Sequence, residues 1–114
     1  MAKSKIPDPL ARRHLIEREQ PPAQSLRLAE AYLAEGRALE AVEFLRKAGE
    51  KDKLAAIRAE AVAAGDAFLL RIVAAALGEP VDRESWRQVA GAAEAAGKQR
   101  YAADARRQAA RGED

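Results

Sequence analysis

The 114 residues include 29 Ala, only nine β-branched residues, and no Cys, Thr or Asn, which points to an all-α fold and excludes disulfides and thiolate metal sites. The 20 basic and 18 acidic residues give a formal charge of +2, spread as +2 over residues 1–20, −1 over 21–50, 0 over 51–80 and +1 over 81–114, so no charge block demands nucleic acid. This length allows one domain that buries roughly two-thirds of its unfolded surface, and a Cys-free chain fits a reducing compartment, so a cytoplasmic location is expected.

In chain order, Met1 to Lys5 run straight into Ile6-Pro7-Asp8-Pro9 without the apolar core of a secretory signal. Asp8 can cap a helix whose first position suits Pro9, and Pro21-Pro22 stops the pattern, so a short helix is predicted over Pro9–Glu19. Further helices are predicted over Pro22–Glu35, Arg37–Ala48, Asp52–Ala64, Ala67–Leu77, Arg83–Ala96 and Lys98–Arg111. Gly36, Gly49, Gly65, Gly78 and Gly97 end the first five of these, while Asp66 and Asp82 stand at cap positions. The longest charge-free apolar stretch, Ile72–Gly78, is far short of the roughly 20 residues of a membrane-spanning helix. Very short turns make neighbouring helices antiparallel, which predicts stacked helical hairpins: residues 1–21 as an arm with one helix, residues 22–114 as a single helical-repeat domain.

The glycines also carry a repeat. With Gly36, Gly65 and Gly97 in register, Leu28, Ile57 and Val89 align eight residues before each, at spacings of 29 and 32 residues. The run from Leu28 to Ala48 resembles a tetratricopeptide repeat: Ala29, Tyr32, Gly36, Ala41, Leu45 and Ala48 match that family's small, aromatic and turn positions. The second repeat keeps Ile57 and Gly65 but has Leu70 where a small residue belongs. The third keeps Gly97 and Ala102. The resemblance implies a groove faced by Leu26, Glu30, Leu33, Ala34, Ala55, Ala59, Val62 and Ala63, with Arg87, Gly91 and Glu94 as third-repeat equivalents. It departs from the variant that grips carboxy-terminal peptides with Asn and Lys, because Asn is absent.

Catalytic chemistry has little to work with. His14 is the only imidazole, and with Glu17 it offers two ligands where a metal site needs three or four. Ser25 and Ser85 fall in first helical turns, where hydroxyls serve as caps, and nothing sets His14 beside either. Glu40 and Glu43 sit at helical spacing from basic residues, Glu43 from Lys47 for one. Phe68, Leu69, Ile72, Val73, Ala76 and Leu77 form a broad apolar stripe, expected to pack on both sides at the centre of the fold. Trp86 shares a face with Val89, Ala90 and Ala93 and reads as a core anchor. Over Lys98–Arg111 only Tyr101 is large and apolar. Arg100, Arg107 and Arg111 mark a polar capping helix, with Asp104 offsetting Arg100.

The functional expectation is a non-catalytic protein-interaction module, with no cofactor and no metal, whose groove takes a helix or extended peptide of a partner. Two alternatives stay open: nucleic-acid binding through the Arg-bearing last helix, and a self-associating structural protein such as a homodimer. The first helix, with Leu10, Leu15 and Ile16 beside Arg12, Arg13 and Arg18, either docks on its own chain or binds in trans.

Overall fold

Seven α-helices make up the computed structural model, which describes residues 8–17 and 21–111: α1 Pro9–Glu17, α2 Pro22–Ala34, α3 Ala38–Ala48, α4 Lys51–Ala64, α5 Ala67–Leu77, α6 Arg83–Ala95 and α7 Gln99–Arg111. The fold is all-α, with no strand among the described residues. No helix among them is long and apolar enough to cross a membrane.

Local chemistry sets the helix ends. The Asp8, Asp66 and Asp82 carboxylates accept from the backbone N–H of Ala11 (2.8 Å), Leu69 (3.0 Å) and Ser85 (3.2 Å), each satisfying a first-turn donor that the helix leaves open. Five helices stop in the same way. The residue after Gly36, Gly49, Gly65, Gly78 or Gly97 donates its N–H to the carbonyl five positions earlier, at 2.8–3.1 Å, while the glycine takes a φ between 68° and 75°.

The chain divides into two compact units, Met1–Lys53 and Leu54–Asp114. In the first, α2 and α3 pack along their lengths, burying Ala29 and Tyr32 on one helix and Ala41, Val42, Phe44 and Leu45 on the other. The rings of Tyr32 and Phe44 stack 5.7 Å apart at 12°, and the Arg37 guanidinium lies 5.0 Å over Tyr32. Ser25 departs from its expected capping role. It is fully buried on α2, its hydroxyl makes no hydrogen bond, and α2 has no side-chain cap, its start being set by Pro21-Pro22.

In the second unit a core is shared by four helices: Ala61 of α4, Ala67 and Leu70 of α5, Trp86, Val89 and Ala90 of α6, and Ala105 and Ala109 of α7. Trp86 is 7% exposed, the core anchor that its helical spacing suggested. Small residues let backbones approach closely: a Cβ at Gly65 would lie 2.6 Å from the Ala93 Cα. Helix α5 corrects the expectation of a stripe packed on both sides. Leu70 and Val73 are buried, but Phe68 is 52% and Ile72 37% exposed. Residues 68, 72 and 75 fall on one side of the helix, and that side faces solvent.

Candidate functional site

The second unit presents two open clefts flanking α6. One, a cavity of about 400 Å³, lies between α4 and α6, lined by Arg58, Ala59, Val62, Ala63, Ser85, Gln88 and Ala92. The other, of similar size, lies between α6 and α7 and is lined by Arg87, Ala90, Gly91, Glu94, Arg106, Ala109 and Ala110. Three expected groove residues (Ala59, Val62 and Ala63) meet in the first cleft, while Arg87, Gly91 and Glu94 meet in the second. Ala55 is exposed on α4 but lines neither. Leu26, Glu30, Leu33 and Ala34 belong to the other unit, where Glu30 and Ala34 are exposed and the two leucines half-buried. None of the ten side chains expected to face the groove is buried.

Long-range ion pairs frame these clefts. Arg58 bonds Asp82 at 3.3 Å beside the α4–α6 cleft, and Arg106 bonds Glu94 across the α6–α7 cleft. The Ser85 hydroxyl donates to Asp82 at 2.6 Å, and mainly this bond holds the Asp82 carboxyl below the usual carboxylate range. Ser85 therefore supports the cap instead of being one. Arg71 bonds Asp104 at 2.6 Å and lies 5.7 Å from the Trp86 ring centre. This overturns the expected offset of Arg100 by Asp104, whose carboxylate goes to Arg71 and, at 3.8 Å, to Arg107. Lys98 donates to the Ala64 carbonyl at 3.1 Å, closing the carboxyl end of α4. Sequence spacing gives no sign of Arg58–Asp82, Arg71–Asp104 or Arg106–Glu94, which lie 24, 33 and 12 residues apart.

Elsewhere, Glu43 pairs with Arg46 on the same helix at 2.9 Å and Glu40 with Arg37, the residue before α3, at 3.5 Å, so both carboxylates are engaged locally. The Tyr32 hydroxyl is buried without a hydrogen bond. Burial raises its pKa above the ordinary value, partly opposed by the nearby Arg12 and Arg37 guanidiniums. The side chains of His14 and Glu17, and those of Leu15, Ile16 and Arg18, lie outside the described residues. Among those described, no group of three or more His, Asp or Glu could hold a metal ion. The clefts offer small apolar floors with guanidinium, carboxylate, hydroxyl and amide groups at their edges, a surface for packing and hydrogen bonding.

No family model, curated protein or solved structure matches the chain.

Proposed function

We propose that the chain is a non-catalytic protein-interaction module, tetratricopeptide-like in its helix hairpins, that receives a helix or extended peptide of a partner protein. The observation that carries this reading is the α4–α6 cleft. Ala59, Val62 and Ala63 give it an apolar side, Ser85 and Gln88 supply groups able to orient a bound backbone, and Arg58 stands beside them. A groove floored by Ala admits a partner's backbone closely and fills with the partner's larger side chains.

The test is a pull-down from the native host with wild type, Ala59→Glu, Val62→Asp and the pair Arg107→Ala, Arg111→Ala. A carboxylate at Ala59, which is exposed, or at half-buried Val62 must be desolvated against an apolar ligand, so both variants lose the partner while circular dichroism stays helical. The Arg pair keeps it. Loss with the Arg pair and retention by the folded cleft variants moves the function to an anionic ligand on α7.

A further inference from the structure

Gly91 lies in the interior of α6, between Ala90 and Ala92, with ordinary helical backbone. Among the described glycines it is the only one outside a helix-ending turn. Glycine weakens a helix relative to alanine, and a Cβ at this position would meet nothing within 4 Å. The chain by itself gives no steric reason for glycine here. Gly91 is exposed at the edge of the α6–α7 cleft, so the space above it is open to another molecule.

The charges around Gly91 are arranged for one particular visitor. Arg87 lies four residues before it and Glu94 three after, and at 3.6 residues per turn both fall on the same flank of α6, where both line the α6–α7 cleft. The opposite flank carries exposed Gln88 and Ala95, and one turn before Gln88 the exposed Glu84, which stands 3.9 Å from Arg87 of its own helix. When a second α6 crosses antiparallel over Gly91 about a two-fold axis in the contact plane, flanks are preserved and chain direction reverses. Arg87 of each copy then meets Glu94 of the other, twice, by symmetry. Arg87 is then shared between Glu84 of its own helix and Glu94 of the other copy. A parallel crossing, about a two-fold along the helices, exchanges the flanks and sets Arg87 beside Gln88 and Glu94 beside Ala95, with no ion pair formed. Arg106, already bonded to Glu94, extends each contact into an Arg–Glu–Arg cluster.

We propose that the exposed face of α6 is a homodimer interface, in which two copies of this chain cross antiparallel at Gly91 and exchange Arg87–Glu94 ion pairs. The Arg87 and Glu94 side chains are 54% and 59% exposed, so the pairs add register and specificity while close backbone approach at Gly91 supplies the packing. One helix crossing buries less than the ~1,200 Å² of a standard interface, so the dimer is weak, with a dissociation constant on the order of 0.1 mM. The inference goes beyond the groove reading and does not need it.

Sedimentation equilibrium of the full chain from about 10 µM to about 1 mM tests it. Wild type shows a reversible monomer–dimer equilibrium. Arg87→Glu, which leaves the Arg106–Glu94 bond in place, weakens it at least about tenfold, as does Glu94→Arg, because like charges then face each other. The double exchange Arg87→Glu with Glu94→Arg recovers the dimer to within about threefold of wild type. Gly91→Leu also dissociates it while melting no lower than wild type; should that variant misfold, the charge exchange still decides. A wild-type chain that stays monomeric at about 1 mM overturns the proposal. So does a dimer indifferent to Arg87→Glu, or a double exchange no better than the single ones. Partner capture in the pull-down is scored separately, so the groove and the dimer can fail independently.

Discussion

Gly65 meets two demands at once. Its φ of 68° ends α4, and its bare Cα lets the Ala93 backbone of α6 come within contact. Gly36 has the same φ region but open space where a Cβ would go. Gly36→Ala is therefore expected to lose only the left-handed strain, about 1–2 kcal/mol, and Gly65→Ala that strain plus a clash, about 2–5 kcal/mol in all. Urea melts of the two variants measure the gap, and equal losses would mean that Gly65 is only a turn. Both turns are legible in sequence, since Gly after an Ala-rich run marks a helix end. The second role of Gly65 is not, because it depends on a helix that begins 18 residues later. Asp82 adds a pH dependence. Its folded-state pKa is depressed, so its contribution is fully present above the ordinary carboxylate range and is lost as pH falls through the lowered value. Asp82→Ala should cost about 0.5–2 kcal/mol at neutral pH, a difference from wild type that shrinks in acid. A difference that stays constant down to pH 2 or so would remove the carboxylate from the account.

At the level of the helix, periodicity fixed the boundaries better than the burial. Alanine-rich helices with Asp before and Gly after read cleanly, and the structure ends them within a residue of the expected positions from α2 onward. The faces are harder. In α5 Phe68, Leu69, Leu70, Ile72 and Val73 are all apolar, so sequence alone cannot say which side meets neighbours; the structure buries Leu70 and Val73 and leaves Phe68 and Ile72 in solvent. Leu70→Ala should then cost about 2–5 kcal/mol and Phe68→Ala less than about 1 kcal/mol, although Phe is the larger side chain. Thermal melts that reverse this order would reverse the orientation of α5. The α2–α3 pair supplies a complementary test. Ala29 and Ala41 are both fully buried between closely packed helices, so Ala41→Leu should overpack and destabilise by about 1–3 kcal/mol. An unchanged melting temperature would mean that the two helices do not touch there.

Across the whole chain, charge balance conceals how the charges are used. The segment totals near zero argued against a polyanion partner, and the structure adds that several guanidiniums are held by carboxylates far away in sequence. Those pairs were invisible beforehand because an i,i+4 search finds only partners on the same helix. Of the groove positions that the resemblance to a tetratricopeptide repeat implies, Ala59, Val62 and Ala63 share a face of α4 and line one cleft, whereas the cleft's other wall, Ser85, Gln88 and Ala92, could come only from tertiary packing. The same ion-pair geometry decides what α7 contributes. Arg107 is 68% exposed and stands 3.8 Å from Asp104, which keeps its shorter bond to Arg71 when Arg107 is removed. Arg111 is exposed in the last turn of α7. Arg107→Ala with Arg111→Ala therefore leaves no carboxylate stranded, and stability should stay within about 0.5 kcal/mol of wild type. Arg71→Ala takes the short partner from Asp104 and uncovers one side of Trp86, so it should cost more than the α7 pair together, about 1–2 kcal/mol. Chemical denaturation at low and high salt separates the contributions. The part of the Arg71 loss that salt removes is ionic, and the part that persists is the contact of the guanidinium with the indole.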